Sequence, residues 1–276
     1  MNTKKQLKPI GVFDSGVGGL TVLRAIREQL PSESILYFAD QGHVPYGPRP
    51  LEEVQGFSKA ITLFFLELGV KLIVVACNTA SAAALHVLRQ TFPDVPFVGM
   101  EPAIKPAAEF TQTGVVGILA TPATFQGELY TSVVERFGSH VTILQHTCPG
   151  LVQQIERGDL TGQKTRTILE LALNPMLERG IDTIVLGCTH YPFVIPTIQN
   201  IVGSDVRVID PAPAVARQVA RLLGLSRTRL IDSKPGRLQL FTSGEVVEFE
   251  ALLPSLLGEK GIVKQAFWEN GQIRVE

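Results

Sequence analysis

The fold is decided by the stretch LIVVACNTAS, residues 72–81. Its first four residues are apolar and mostly branched, which predicts a buried parallel strand, and an Ala-rich helix is expected to start near Ala80. Cys77 should therefore lie in a strand-to-helix turn. In an open α/β sheet that turn is at the carboxyl edge, where ligands bind and where the first N–H groups of the next helix can hold an anion.

The same arrangement recurs in TIVLGCTHYP, residues 183–192. A branched apolar strand is again followed by a cysteine and small polar residues. Cys77 and Cys188 are separated by 188 − 77 = 111 residues, which is roughly the size of one small domain. The repeat predicts two related halves that each supply one thiol.

Composition limits the possible partners. The chain has 276 residues, of which 45% are hydrophobic and 18% charged, and a net charge of −1. It can form one large or two moderate domains with a real core. Without a basic field we expect no nucleic-acid partner and no membrane surface as partner. No run of about 18 apolar residues suggests a membrane span.

The cysteine count points to reduced thiols. Three widely spaced cysteines without a C-x-x-C pair predict neither a disulfide framework nor a zinc site, so no metal is expected. Residues 1–9 contain three lysines and no apolar secretory core. We therefore expect a frayed N-terminal tail and a cytoplasmic protein.

Strand and helix signals alternate along the chain, which predicts an α/β fold of two similar domains with mainly parallel sheets. Prolines near residues 102–106 and 211–213 mark the candidate crossings between the halves. We expect residues 1–100 plus 213–276 to form one domain and residues 101–212 the other. The predicted strands are 10–13, 34–38, 72–76, 96–99, 114–119, 141–144, 183–186, 206–209, 238–241 and 262–266, and the clearest helices are 51–68, 214–223 and 245–257.

A second repeat supports duplication. The Gly-rich turn that contains Asp14 and Ser15 follows one predicted strand, and a Thr-rich turn with Thr121 follows another. Each half thus has one hydroxyl-bearing turn and one cysteine turn. The alternative is that α/β proteins in general look self-similar at this level.

The first turn also allows a dinucleotide-binding interpretation, because Gly16-Val17-Gly18 follows a strand and Asp40 ends the next one. Against it, position 21 is threonine where the fingerprint needs a third glycine, and Asp14 would face the pyrophosphate. We prefer Asp14 as a titratable group and Ser15 as a ligand hydroxyl. A purely structural helix cap is the alternative for Asp14.

Other polar positions are weaker candidates. The loop HVPYGPRP, residues 43–50, contains three prolines and can form a preorganised wall. Cys148 lacks the polar flank of the other cysteines and is expected to be a packing residue, while Glu156 can be an ordinary solvated glutamate. His190 suits an acid or base beside Cys188 better than a metal ligand, since two ligands do not make a site.

Two thiols that face each other across a cleft suggest chemistry on a molecule held between them. A free thiol has a pKa of about 8.5, and helix N-termini lower it further, so a thiolate can act as a base near neutral pH. One thiol on each face of a carbon is the requirement for inverting a stereocentre by proton transfer.

These residues resemble a known family. The segments DSGVGGL (14–20), PYG (45–47), CNTA (77–80) and GCTHYP (187–192) closely resemble the signatures of bacterial glutamate racemases, within the cofactor-independent aspartate/glutamate racemase family. The match runs from Pro9 to Pro211, with a looser similarity around Cys148 and Glu156 and a departure at Pro48-Arg49-Pro50. It implies two domains related by pseudo-twofold symmetry around an active site in the cleft, no cofactor, a homodimer, and D-glutamate production for peptidoglycan.

Carried over by position, the resemblance makes Cys77 the base for D-glutamate and Cys188 the base for L-glutamate, assisted by Asp14 and His190 respectively. It also implies a set of substrate-binding residues: Ser15, Tyr46, Gly47, Asn78, Thr79 and Thr189, with Thr121 and Glu156 as weaker candidates.

The residues themselves leave alternatives open. Apart from the Tyr46 loop, no Lys or Arg is near these turns, so substrate carboxylates should be met by backbone N–H groups and hydroxyls. Pyridoxal phosphate is not expected, because no lysine occupies a strand-end turn and Lys71 opens its strand at the wrong edge. The rivals are a racemase for another acidic amino acid, such as aspartate, and a non-catalytic amino-acid binding protein.

Overall fold

A computed structural model describes residues 8–224 and 235–275, so most of the expected N-terminal tail lies outside the described residues. The larger sheet has seven strands in the order β11-β10-β9-β2-β1-β3-β4, and only the β10–β11 pair is antiparallel. Its strands are β1 (Ile10–Asp14), β2 (Ile35–Ala39), β3 (Leu72–Val75), β4 (Phe97–Gly99), β9 (Leu238–Thr242), β10 (Val263–Glu269) and β11 (Gln272–Val275).

The second sheet has four parallel strands in the order β6-β5-β7-β8. They are β5 (Val115–Ala120), β6 (Thr142–His146), β7 (Thr183–Gly187) and β8 (Arg207–Ile209). This order matches β2-β1-β3-β4 of the first sheet strand for strand. Cys77 and Cys188 therefore follow equivalent strands, β3 and β7, which is the equivalence that the sequence repeat predicts.

Helices cover the sheets. Every residue of β1, β2, β3 and β7 is buried, and since alternate side chains point to opposite faces, both faces of these central strands are covered. The helices are α1 (Leu20–Gln29), α2 (Leu51–Glu67), α3 (Asn78–Thr91), α4 (Ile104–Phe110), α5 (Pro122–Gln126), α6 (Glu128–Phe137), α7 (Leu151–Glu156), α8 (Gln163–Glu178), α9 (Ile195–Val202), α10 (Ala212–Leu222) and α11 (Val246–Leu256).

The α/β class with mainly parallel sheets is confirmed, and all ten predicted strands are found within a few residues of their expected bounds. No helix in the described part of the chain is long and apolar enough to cross a membrane.

Two local features differ from the prediction. Helix α3 starts at Asn78, two residues before the expected Ala80, because the Cys77 side chain accepts a hydrogen bond from the Ala80 N–H and so acts as the N-cap. The antiparallel strand β11 was not predicted. Its signal was present as Asn270-Gly271, where both residues have positive φ (51° and 76°), a turn that favours two-residue hairpins.

Candidate active site

The turns after β1 and β3, and those after β5 and β7, lie at the switch points of their sheets, where strand order reverses and ligands bind in open α/β folds. The two switch points share one small cavity of about 20 Å³, a volume that suits roughly one water molecule. A larger ligand therefore requires the cavity to widen. Its lining comes from both halves: Ser15, Pro45, Tyr46, Gly47, Cys77, Asn78, Thr79, Thr121, Val152, Cys188, Thr189 and His190.

Ten of the twelve candidate site residues line this cavity. The other two, Asp14 and Glu156, contact residues that do. Sequence analysis did not single out Val152, an apolar residue of α7 without a chemical signal of its own. Pro45 was part of the stiff loop and of the PYG segment but was not a site candidate of its own.

Cys77 lines the cavity from the half that contains the larger sheet. Its Sγ accepts from the Ala80 N–H at 3.4 Å and lies 3.9 Å from Oγ of Ser15. Burial and the nearby Asp14 carboxylate raise the pKa of the Cys77 thiol well above its ordinary value, while the Ala80 N–H lowers it. The helix terminus thus acts in the expected direction, but the expectation of a net lowered pKa is wrong for Cys77.

Cys188 is paired with His190 and Glu156 in the second half. Nδ1 of His190 lies 3.8 Å from Sγ of Cys188, and Nε2 lies 2.5 Å from Oε1 of Glu156. Burial alone would lower the pKa of His190, but its hydrogen bonds to Cys188 and Glu156 outweigh burial and raise that pKa well above the ordinary value. The raised pKa favours the imidazolium form of His190, which lies between the Cys188 sulfur and the Glu156 carboxylate.

The interpretation of Glu156 as a solvated glutamate is wrong. Its side chain is 11% exposed, and Oε1 also accepts from the Val17 N–H at 2.8 Å. The contact joins α7 to the Gly-rich turn of the other half, 139 residues away. Such a distant partner leaves no local signal in the sequence.

Asp14 is fully buried, and its carboxylate forms a hydrogen bond to a residue of the other half. Oδ2 accepts from the Gly16 N–H, and Oδ1 accepts from Oγ1 of Thr189, both at 3.1 Å. The N-cap residue of α1 is Gly19, so Asp14 is not itself the N-cap, and its bond to Thr189 of the other half is not part of a helix cap. Burial raises the pKa of the Asp14 carboxyl above its ordinary value, although His190 opposes that shift.

Hydroxyl groups and an amide complete the cavity. Oγ1 of Thr79 and Oγ1 of Thr121 are 2.8 Å apart, and Thr121 is 2.8 Å from Oγ1 of Thr124. Neither polar atom of the buried Asn78 side chain has a hydrogen-bond partner among the described residues. Asn78 therefore has free donor and acceptor capacity. Because a buried unpaired amide is costly, a ligand that pairs with it would be favoured.

Asp40 supports the cavity wall. Oδ2 accepts from the Tyr46 hydroxyl at 2.5 Å, and Oδ1 accepts from Oγ of Ser243 at 2.6 Å and Nε1 of Trp268 at 2.8 Å. These donors occupy the carboxylate that the dinucleotide interpretation needs for a ribose. Asp40 therefore counts against that interpretation and holds Tyr46 in place.

The fold and site define an α/β protein with two sheets that share a four-strand topology and present one thiol each to a shared cavity. A sequence model described as "Asp/Glu/Hydantoin racemase" matches residues 10–219, and the chain belongs to that family.

Individual relatives agree with the family assignment. The chain is 49% identical over 252 residues to a glutamate racemase of Pseudomonas paraeruginosa, covering 91% of this chain and 95% of that protein. Among solved structures, a glutamate racemase isoform of Bacillus anthracis gives a TM-score of 0.85 at 34% identity, covering 97% and 99% of the chains. Escherichia coli glutamate racemase, in complex with L-glutamate and the activator UDP-MurNAc-Ala, gives 0.82 at 32% identity, covering 98% and 99%.

Proposed function

We propose that this chain is a glutamate racemase that interconverts L- and D-glutamate without a cofactor and supplies D-glutamate for peptidoglycan synthesis. The observation that carries the proposal is the pair Cys77 and Cys188, which follow equivalent strands and line the same cavity from opposite halves. Relatives that align over nine-tenths of the chain are glutamate racemases, which favours glutamate over aspartate as substrate.

In the proposed reaction the two thiols exchange roles. With L-glutamate, Cys188 as thiolate takes the α-proton, and the electron pair of the broken C–H bond stays on the α-carbon. The Cys77 thiol then donates its proton to the opposite face, so the turnover ends with a thiol at Cys188 and a thiolate at Cys77. That product form of the enzyme is the one that acts on D-glutamate.

Neighbouring groups support each thiol in this scheme. The His190 imidazolium stabilises negative charge on Cys188, and Asp14 assists proton transfer at Cys77. Ser15, Thr79, Thr121, Thr189, Tyr46 and the backbone of Gly47 hold the substrate, whose charged groups also meet the N–H groups at the start of α3. The unpaired Asn78 amide is available to donate to a substrate carboxylate, and a donor aimed at charge that develops in the transition state is worth roughly 3 to 4 kcal/mol.

Circular dichroism tests this function directly. Purified protein with L- or D-glutamate and no added cofactor should bring the optical signal to zero from either side, and aspartate should react far more slowly. Faster reaction with aspartate would favour the other acidic racemase, while glutamate binding without loss of the signal would favour a non-catalytic binding protein.

We also propose two domains, residues 1–100 plus 213–276 and residues 101–212, which separate the two sheets and can move apart to widen the cavity. We propose a cytoplasmic location, because three free cysteines suit a reducing compartment, and a homodimer, which the family resemblance implies. Light scattering after size-exclusion chromatography should give twice the mass of one chain. A mass of one chain would contradict the dimer.

A further inference from the structure

Gln41 follows β2 of the larger sheet and reaches α7 of the other half. Its Nε2 donates to Oε2 of Glu156 at 3.1 Å, and its Oε1 accepts from Oγ1 of Thr242 at 2.8 Å. Thr242 is fully buried in β9. The donor at Thr242 and the acceptor at Glu156 together fix the amide orientation, because only the NH₂ group can face a carboxylate.

The Glu156 carboxylate is thus held from three directions. Oε1 accepts from Nε2 of His190 and from the Val17 N–H, while Oε2 accepts from Gln41. Nδ1 of the same histidine ring faces Sγ of Cys188 at 3.8 Å. Rotation of the Glu156 carboxylate would therefore displace the His190 imidazole that faces Cys188.

Hydrogen-bond donors from the half with the larger sheet bind the Glu156 carboxylate of the other half. Gln41 and Val17 belong to the turns of the larger sheet, whereas Glu156, His190 and Cys188 belong to the chain segment that contains the smaller sheet. The alignment of His190 on Cys188 is consequently completed by residues that Cys188's own half does not supply.

We propose that Gln41 is a positioning residue for the Cys188 side of the reaction, which it supports by fixing Glu156 and, through it, His190. The inference rests on the proposed racemase function and on Cys188 as the base for L-glutamate. Gln41 itself does not line the cavity, so its effect should appear in proton transfer at Cys188 and not in substrate contacts.

The test compares Gln41→Leu with Gln265→Leu. The Gln265 amide donates to the carbonyl oxygens of Thr242 and Gly244, so the control disturbs the same segment of chain without removing a bond to Glu156. Rates are measured with L- and D-glutamate, each with α-hydrogen and with α-deuterium.

Gln41→Leu should lower kcat/KM by roughly 10-fold, the low end of what a hydrogen bond to a charged group is worth. The fall must be equal in both directions, because the enantiomers have equal free energy and share each transition state. The isotope effect on kcat/KM should rise for L-glutamate, whose α-proton Cys188 removes, and fall for D-glutamate, where Cys188 acts second. Gln265→Leu should leave both isotope effects as in the wild type.

Isotope effects that stay unchanged in Gln41→Leu, move in the same direction for both enantiomers or match those of Gln265→Leu would overturn the inference alone. A wild type that does not racemise glutamate would overturn the proposed function as well. If Gln41→Leu does not fold, Thr242→Val provides the second measurement. It removes the donor that orients the Gln41 amide, and it should shift the isotope effects in the same opposite directions; no shift would contradict the inference.

Discussion

Gly18 packs directly against the ring of His190, although the two residues belong to different halves of the chain. A Cβ atom at position 18 would collide with Nδ1 of His190 and lie 2.8 Å from Oγ1 of Thr189. The Gly-rich turn after β1 is therefore a surface against which the cysteine turn of the other half closes. This contact explains the glycine better than a pyrophosphate does.

Gly18→Ala should lower racemisation by roughly 10- to 100-fold, because a displacement of about 1 Å in a catalytic group can have an effect of that size. Gly56→Ala is the matched control. A Cβ at Gly56 meets nothing within 4 Å, and alanine inside α2 should add about 0.5 to 1 kcal/mol of stability without changing the rate. Equal activity of the two variants would contradict the proposal that close packing of Gly18 against His190 is needed for activity.

Cys77→Ala and Cys188→Ala should each reduce racemisation by orders of magnitude, since each removes the base or acid for one face of the α-carbon. Cys148→Ala should keep most of the activity. Cys148 is buried, and burial raises the pKa of its thiol to about 12, so it stays protonated. Initial rates by circular dichroism distinguish these outcomes, and full activity in either of the first two variants would end the two-thiol mechanism.

Neutral replacements of the assisting groups, Asp14→Asn and His190→Asn, should slow turnover by something in or just below roughly 10²- to 10⁴-fold, the range typical of general acid/base help. The loss should be unequal between the two directions when kcat is measured separately, because each group serves one thiol. The ratio kcat/KM must stay equal in both directions. Wild-type rates in both variants would indicate that Asp14 and His190 have only structural roles.

The pH dependence of stability and of activity should reflect the ion pair between His190 and Glu156. Hydrogen bonds to Cys188 and to the Glu156 carboxylate raise the pKa of His190 well above its ordinary value. The stability that protonated His190 contributes is complete below its unfolded-state pKa and is lost as pH rises through the folded-state pKa. Activity that needs the imidazolium should fall over the same alkaline range.

Glu156→Gln should therefore move the alkaline limb of the kcat/KM profile to lower pH. Glu135→Gln, at an exposed position of α6, should leave that limb unchanged. A limb that stays in place in Glu156→Gln would mean that His190 does not control it.

Local sequence was sufficient for the class of fold and for the two cysteines, because a branched apolar strand followed by polar residues is a signal within ten residues. It was not sufficient for Glu156 or Asp40. Glu156 accepts from the Val17 N–H, 139 residues away, and Asp40 accepts from Ser243 and Trp268, which are 203 and 228 residues away. The same limit explains the wrong pKa direction at Cys77. That thiol is buried in a core formed by several elements of the larger-sheet half and lies near Asp14, and a pattern of ten residues contains none of these neighbours.

Cys77 and Cys188 are proposed to be separate bases on opposite faces of the substrate, and racemisation in heavy water tests this two-base reaction most directly. Each thiol reaches only its own face, because reacting atoms must approach to about 3 to 3.5 Å. The thiol that delivers has already exchanged with solvent, so product from early turnover should carry α-deuterium almost completely while remaining substrate stays largely protiated. Substantial α-protium in that first product, measured by mass spectrometry after chiral separation, would contradict the account and indicate one base that serves both faces.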